Sequence, residues 1–181
     1  RAVQEQLGDL PLIAEDLGLI TPEVHALRDE LGYPGMRVLQ FAFDGDPTNP
    51  HLPSNYPERN VAYTGTHDND TIVGWWQNAS REERTAAREL FEGSDRPVQE
   101  AFMELLFESR ARLVLAPLQD VLGLGAESRM NTPGTNEGNW RWRLRPGEMR
   151  GDHAQLLLEI TRASGREAAP GAWQSLSDGD S

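Results

Sequence analysis

The sequence predicts an α/β protein in which parallel strands alternate with helices. Four short apolar runs have the composition of buried strands, and segments with helical spacing or helix caps separate them. Polar or acidic residues follow each run, and in parallel sheets the carboxyl ends of the strands gather the functional groups. No glycine-rich phosphate loop follows any run. The order therefore fits a small doubly wound sheet or half of a (β/α)₈ barrel, and the missing phosphate loop disfavours a nucleotide-binding sheet.

The first two predicted strands flank a helix. Residues 10–14 are continuously apolar, as in a strand that is buried on both faces. Thr21 is expected to cap a helix that begins at Pro22 and ends at Gly32. Residues 37–43 have the β-branched and aromatic content of a strand.

A long loop and two further strands complete the predicted order. Residues 44–60 contain four prolines, which excludes regular structure and indicates an ordered binding loop or lid. Asp70 is the expected cap of the helix after the third strand, and Ser80 forms a capping box with Glu83. The remaining predicted elements are a strand at 61–66, helices at 71–78, 81–91 and from 95–97 onward, a strand at 113–116, a polar loop at 123–143 and a helix at 153–163.

Composition limits the function classes. The net charge of −12 argues against a nucleic-acid partner, because phosphate binding needs clustered Lys and Arg. There is no cysteine, no apolar run of membrane-spanning length and no signal-peptide pattern, so we expect a cytoplasmic protein without membrane association. The chain begins at Arg1 inside an apparent helix over 1–7 that stops at Gly8, which suggests a fragment.

Glu15 is the first candidate catalytic residue. Cleavage of a glycosidic bond needs one carboxyl group that stays protonated near neutral pH. The apolar strand before Glu15 and the like charge of Asp16 are expected to raise the pKa of Glu15. The alternative is that Glu15 is only a helix cap or a salt-bridge partner.

His67 and Asp68 allow three interpretations. They could bind a metal with Asp70, although no second histidine is close enough for a zinc pattern. They could belong to the cap of the next helix. They could also bind sugar hydroxyls, His67 donating and Asp68 accepting. The five tryptophans favour a sugar ligand slightly, although Trp75 and Trp76 are more simply assigned to the core.

Five segments, taken together, resemble the amylomaltases, the bacterial 4-α-glucanotransferases also called disproportionating enzymes. The segments are AEDLGLITPEV (14–24), PGMRVLQFAF (34–43), YTGTHDNDT (63–71), PLQDVLGLG (117–125), and RMNTPGT with NWRWR (129–143). The resemblance implies a (β/α)₈ TIM barrel of the α-amylase clan, of which this chain holds about strands five to eight. Residues 1–150 would form the carboxyl-terminal half of the barrel, residues 151–164 a closing helix of the same domain, and residues 165–181 a flexible tail.

The resemblance also implies the residue roles. Glu15 would be the general acid/base and Asp68 the carboxylate that stabilises the transition state, with His67, Asn136 and Asn139 binding substrate. The family's nucleophile, an aspartate in an Arg-x-Asp-His type motif, has no counterpart in this sequence and is expected upstream of Arg1.

The implied activity is the retaining transfer of α-1,4-glucan segments from a maltodextrin donor to a glucose or glucan acceptor, with no metal or organic cofactor. Two alternatives remain, namely an α-glucan hydrolase of the same clan and a non-catalytic α-glucan-binding half-barrel. The isolated chain is predicted to be inactive and, because its sheet edges are open, prone to associate.

Overall fold

A computed structural model describes residues 5, 6, 8, 10–91 and 93–168. Glu5 and Gln6 are helical, which agrees with the predicted helix over 1–7. Residues 1–4 and 7 of that predicted helix lie outside the described residues, as do residues 169–181 of the predicted tail.

Three parallel strands form one sheet in the order β1-β2-β3. They are β1 (Gly35–Val38), β2 (Asn60–Tyr63) and β3 (Leu113–Leu115). In the register of the sheet, Val61 is opposite Met36 on one side and Leu113 on the other. The prediction of an α/β fold with a parallel sheet is confirmed, although the sheet has three strands within the described residues where four were predicted.

The first predicted strand does not form. Residues 10–14 do not pair with a strand, and the Ala14 amide donates to the carbonyl of Pro34, just before β1, at 2.9 Å. Leu12 and Ile13 are 40% and 44% exposed. The apolar run is suited to burial on both faces, but among the described residues nothing covers its outer side, so the prediction of a buried strand was wrong.

The second predicted strand is shorter than expected. It ends at Val38, and the chain continues as a 3-10 helix over Leu39–Phe41. The aromatic and apolar residues of this stretch are therefore used for packing at the end of the strand, not for strand pairing.

Six α-helices with defined bounds accompany the sheet within the described ranges. They are α1 (Pro22–Glu30), α2 (Ile72–Asn78), α3 (Arg81–Leu90), α4 (Val98–Glu108), α5 (Leu118–Val121) and α6 (Gly151–Ala163). Short 3-10 helices occupy Pro53–Asn55 and Ala126–Ser128 inside the two predicted long loops. All of these helices except α5 were predicted. Helix α5 is a single turn, and its residues were predicted to be only the exit of the last strand.

The helix caps differ in part from the prediction. Thr71, not Asp70, is the N-cap of α2, since its hydroxyl accepts a hydrogen bond from the Gly74 amide at 3.0 Å. Asp70 instead accepts from the Thr71 amide at 2.8 Å. The capping box between Ser80 and Glu83 at the start of α3 is confirmed.

Helix α1 is held loosely by comparison. The Thr21 side chain does not accept a backbone amide, so the predicted cap is wrong. Its hydroxyl bonds the carboxylate of Glu23 instead and thereby lowers the pKa of Glu23. No residue of α1 is buried, and Val24 and Leu27, predicted on a packing face, are 47% and 55% exposed.

The main core lies where the strands meet α2 and α4. Phe102 and Leu39 are fully buried there. The rings of Phe43, Trp75 and Phe91 surround Phe102 at centroid distances of 5.3, 5.4 and 5.7 Å. The assignment of Trp75 to the core is confirmed, and this packing fixes α2 directly behind the loop that carries His67 and Asp68.

A second, smaller core joins the last three helices. Met103, Val121 and Ile160 are buried against one another and connect α4, α5 and α6. In the described part of the chain, no helix is both long enough and apolar enough to cross a membrane.

Candidate active site

A cleft of about 1120 Å³ opens at the carboxyl ends of the three strands. Glu15, His67 and Asp68 all line it, together with Tyr63 at the end of β2 and Gln40 after β1. Three of the predicted site residues thus share one cavity although 53 residues separate Glu15 from Asp68. The parallel sheet directs the segments after β1 and β2 to this edge, and the hydrogen bond from the Met36 amide to Asp16 holds the segment of Glu15 beside it.

Asp16 anchors the segment that carries Glu15. Its buried carboxylate accepts hydrogen bonds from the Met36 amide at 2.6 Å and from Arg28 at 2.5 Å, and lies 3.4 Å from Arg37. Burial opposes ionisation of Asp16, but the Met36 amide and the charges of Arg37 and Arg28 outweigh it and lower the pKa of Asp16. The charge of Asp16 is thus compensated by two guanidinium groups, and Asp16 does not line the cleft, contrary to its expected role as a like-charge neighbour of Glu15.

Gly35 shows how closely Asp16 is packed against β1. A Cβ atom at Gly35 would lie 2.9 Å from the Asp16 Cγ atom and 2.8 Å from an Arg28 nitrogen. Only glycine leaves room for this ion pair beside the strand. Asp16 therefore links the segment that carries Glu15 to strand β1.

Tyr63 is the polar neighbour of Glu15 within the cleft. Burial, together with the negative charge of Glu15, raises the pKa of Tyr63 above its ordinary value. Near neutral pH Tyr63 is therefore a neutral phenol, which can donate a hydrogen bond to an oxygen in the cleft.

The loop after α5 holds His67 and Asp68 in place. The Asn131 side-chain amide donates to the Asp68 carboxylate at 2.5 Å, and the Asn131 backbone amide donates to the His67 carbonyl at 3.0 Å. Arg129 donates to the Asp68 carbonyl at 2.6 Å and to the Asn131 carbonyl at 2.8 Å. The His67 Nε2 atom lies 3.3 Å from the Asp68 carboxylate. The Asp68 carboxylate is therefore oriented by two neighbours while about half of its side chain remains accessible.

Trp140 covers one side of His67. The two ring centroids are 5.1 Å apart and the ring planes are inclined by 34°. The Trp140 amide donates to the Met130 carbonyl at 2.7 Å, and the residue has a φ of 60°, which is uncommon for a side chain of this size. Trp140 is 54% exposed, so it adds an accessible aromatic face beside the histidine.

Asn136 and Asn139 do not reach the cleft in this structure. Asn139 is used inside its own loop, where its side chain accepts from the Thr132 amide at 2.8 Å and donates to the Thr135 carbonyl at 3.1 Å. Asn136 is exposed, and neither asparagine lines the cavity that contains Glu15. Their role in substrate binding stays a prediction.

Asp120 was not predicted as a site residue, although it lies directly behind the site. It is 1% exposed, and it accepts hydrogen bonds from the Thr64 hydroxyl at 2.6 Å and the Ile72 amide at 2.8 Å. Burial raises the pKa of Asp120, and the nearby charge of Asp70 adds to this effect, while the two hydrogen bonds oppose it. A sequence signal existed, because Asp120 ends the polar exit of the last predicted strand.

Gln40 braces the same loop from the side of β1. Its side-chain amide donates to the Asp70 carbonyl at 2.8 Å. A Cβ atom at Gly65 would lie 2.6 Å from the Gln40 nitrogen, and one at Gly74 would lie 2.7 Å from the Asp70 Cγ atom. Both glycines are therefore required for the close approach of this loop to its neighbours.

The described residues contain no group of three or more His, Cys, Asp or Glu side chains that could hold a metal ion. Interpreting His67, Asp68 and Asp70 as a metal site therefore receives no support. The contacts of His67 and Asp68 are with Asn131, Arg129 and Trp140, which are an amide, a guanidinium group and an aromatic ring.

The fold and the cleft define an α/β protein with a carboxylate-bearing site at the carboxyl edge of a parallel sheet. Comparison with known families identifies it further, because residues 1–149 match the family described as 4-alpha-glucanotransferase. This chain belongs to that family. The resemblance of the five sequence segments to amylomaltases is thereby confirmed.

Individual relatives agree with this assignment. The chain is 51% identical over 172 residues to the 4-alpha-glucanotransferase of Thermus thermophilus and 49% identical over 169 residues to that of Synechocystis, covering 91% and 92% of this chain. The potato chloroplastic/amyloplastic 4-alpha-glucanotransferase is 48% identical over 170 residues, or 91% of this chain. The chain spans only about a third of the length of these curated relatives, namely 34%, 34% and 29%.

Solved structures agree as well. The amylomaltase from Streptococcus agalactiae in complex with acarbose superposes with a TM-score of 0.88 at 36% identity, covering 92% of this chain and 34% of that one. The amylomaltase from Corynebacterium glutamicum has a TM-score of 0.64 at 18% identity and covers 92% of this chain and 30% of its own, which supports the fold alone.

Proposed function

We propose that this chain is part of a 4-α-glucanotransferase that moves α-1,4-glucan segments from a maltodextrin donor to a glucose or glucan acceptor. One observation carries the proposal: Glu15, His67 and Asp68 line a single cleft in a chain that belongs to the 4-alpha-glucanotransferase family. The Streptococcus agalactiae amylomaltase, which was solved in complex with acarbose, supports a carbohydrate ligand for this protein.

The chain would supply part of a larger barrel. We assign residues 1–150 to the carboxyl-terminal half of a (β/α)₈ barrel, about strands five to eight, residues 151–164 to its closing helix, and residues 165–181 to a flexible tail. The parallel order of β1, β2 and β3 supports this assignment, as do the exposed apolar side chains at 10–14. The activity would belong to the complete polypeptide, which we propose to act in the cytoplasm.

In the proposed reaction Glu15 acts twice on protons. It protonates the glycosidic oxygen as the bond to the anomeric carbon breaks, and it later removes the proton from the acceptor hydroxyl as the new α-1,4 bond forms. The aspartate nucleophile that forms the covalent glucosyl intermediate between these steps would come from the part of the polypeptide that is not in this sequence. Two inversions at the anomeric carbon then give net retention, and no cofactor is needed.

Asp68 and His67 would bind the distorted sugar ring. The Asp68 carboxylate can accept from ring hydroxyls and stabilise positive charge at the anomeric centre, because Asn131 orients it and half of it stays accessible. Tyr63 adds a neutral donor beside Glu15. Asn136 and Asn139 belong to the loop that we expect to exclude water. They would contact glucan units that lie farther from Glu15.

The test uses the complete polypeptide with maltotriose as the only substrate. Transfer predicts both shorter and longer maltodextrins in the products, with no net gain of reducing ends. Glu15→Gln keeps the size of the side chain and removes the acid, so it should lower the rate by at least about 100-fold. Glu89→Gln, at an exposed position on α3 outside the cleft, is the matched control and should retain the wild-type rate.

The products and variants separate the alternatives. A hydrolase would give only smaller sugars and a steady rise in reducing ends. A non-catalytic glucan-binding protein would bind maltodextrin equally well with Glu15→Gln and show no turnover in either form. Disproportionation of maltotriose by the isolated 181 residues would contradict the proposal that the nucleophile lies outside this sequence.

A further inference from the structure

One buried carboxylate holds both ends of the loop that carries His67 and Asp68. The Oδ2 atom of Asp120 accepts from the hydroxyl of Thr64, the residue directly after β2, and its Oδ1 atom accepts from the amide of Ile72, the first residue of α2. The seven residues at 65–71 between these two points form the loop. A single side chain thus links the two ends of the loop.

Helix α5, which carries Asp120, also holds the loop that follows it, the second loop of the site. Gln119, next to Asp120 on α5, donates from its side chain to the Ser128 carbonyl at 3.3 Å, and both residues are buried. Ser128 precedes Arg129, which bonds back to the carbonyl of Asp68 at 2.6 Å. Consecutive residues of α5 therefore brace the two loops that meet at Asp68.

A carboxylate is a costly choice for this position. Asp120 and Thr64 are 1% and 0% exposed, and burying an acidic group without a cationic partner is unfavourable. Within the described part of the chain no Lys, Arg or His forms an ion pair with Asp120. The carboxylate provides two acceptor oxygens, one for the Thr64 hydroxyl and one for the Ile72 amide.

We propose that Asp120 is a positioning residue for the reaction, which sets the place of the His67–Asp68 loop against Arg129 and Asn131. The inference rests on the proposed function for the role of Asp68, but the loop geometry that it concerns can be measured separately. Asp120 does not line the cleft that contains Glu15 and would act through Thr64 and Ile72.

The kinetic test compares matched variants in the complete polypeptide with maltotriose. Asp120→Asn and Thr64→Val preserve size but remove, respectively, one acceptor and the donor of the Thr64 hydrogen bond. We expect kcat to fall about tenfold or more in each variant, and KM to change by a smaller factor. The reason is that a shift of the His67–Asp68 loop affects transition-state stabilisation more than ground-state binding. Thr64→Ser keeps the hydroxyl and should restore most of kcat. In the double variant the losses should not multiply.

Val121→Ala is the control for simple destabilisation. Val121 is on the same helix and is buried in the second core with Met103 and Ile160. It should lower the melting temperature at least as much as Thr64→Val while keeping kcat at 25 °C. Equal loss of kcat in Val121→Ala, or wild-type kcat in both Asp120→Asn and Thr64→Val, would overturn the proposal.

Amide hydrogen exchange gives a readout that does not depend on activity. The Asn131 amide, which donates to the His67 carbonyl, should exchange about tenfold faster in Asp120→Asn, while the Arg84 amide in α3 should keep its rate. Unchanged exchange at Asn131, or equal acceleration at Arg84, would reject the positioning role even if the enzyme is a transferase. Faster exchange at Asn131 in a protein that lacks transferase activity would instead reject the proposed function and keep the role of Asp120.

Discussion

Two of the acidic residues that line the cleft, Glu15 and Asp68, are supported by regions that differ in how they pack. We call residues 10–34 the outer segment; it carries Glu15 and α1. Residues 35–116 are the sheet core; they carry Asp68 with the three strands and helices α2 to α4. The sheet core has fully buried side chains such as Phe102 and Leu39, whereas Leu12 and Leu27 of the outer segment are 40% and 55% exposed.

The contrast shows that the region behind the Asp68 loop is held by apolar burial, whereas the segment that carries Glu15 is held by polar contacts. The outer segment is tied to the sheet core through the buried carboxylate of Asp16, which accepts from the Met36 amide and lies 3.4 Å from Arg37. The bonds of Arg28 to Asp16 and of the Ala14 amide to Pro34 hold the outer segment together internally. A proposed general acid/base therefore lies on the region with less packing of its own. Its position should depend on a few hydrogen bonds, and that dependence can be measured.

The largest expected difference concerns two leucines. Leu39→Ala in the sheet core removes a fully buried side chain and should lower the free energy of unfolding of the 181-residue chain by about 3 to 4 kcal/mol. Leu27→Ala in the outer segment should change it by less than about 0.5 kcal/mol, because that side chain is mostly exposed. Urea denaturation followed by tryptophan fluorescence measures both. Equal losses would show that the outer segment is packed as well as the sheet core.

The next difference concerns the ion pairs of Arg28. Asp16→Asn removes a buried charge that has three donors around it, and it should lower the free energy of unfolding by about 2 to 3 kcal/mol. This is at the lower end for a buried ion pair, because Arg28 retains its second partner, Asp29. Asp29→Asn is the matched control, since Asp29 is 65% exposed and should cost less than about 1 kcal/mol. The same urea titrations apply. A larger effect at Asp29 would contradict the assignment of Asp16 as the anchor.

The pH dependence tests the same anchor. Because the pKa of Asp16 is lowered in the folded state, its contribution to stability is fully present above the ordinary value of 3.8 and is lost as the pH falls through the lowered pKa. Asp16→Asn should therefore lose less stability than the wild type on acidification below about pH 4. Parallel acid titrations of the two proteins would exclude a lowered pKa at Asp16.

What the sequence predicts well is local. The alternation of strands and helices, the capping box at Ser80, and Glu15, His67 and Asp68 at the ends of apolar runs all follow from neighbouring residues, and the structure brings those three side chains into one cleft. The parallel sheet explains this for His67 and Asp68, which follow β2, whereas Glu15 is held beside the sheet by the contact of Asp16 with the Met36 amide.

What the sequence does not predict depends on distant partners. Asp120 receives its donors from Thr64 and Ile72, which are 56 and 48 residues away, and Asn131 reaches Asp68 across 63 residues. No spacing rule connects such pairs. Residues 10–14 were predicted as a strand because an apolar run reports what a segment is suited to contact, while strand pairing depends on which neighbours are present.

The smallest expected difference is between two helix starts. Ser80→Ala in the sheet core removes a capping box and should lower the free energy of unfolding by about 1 kcal/mol. Thr21→Ala in the outer segment should cost less than about 0.5 kcal/mol, because the Thr21 side chain accepts no amide of α1 and its hydroxyl bonds the exposed Glu23. Urea denaturation at matched ionic strength measures both. A larger loss at Thr21 would mean that the start of α1 contributes as much to folding as the start of α3, so that the outer segment would hold Glu15 through its helix as well as through Asp16.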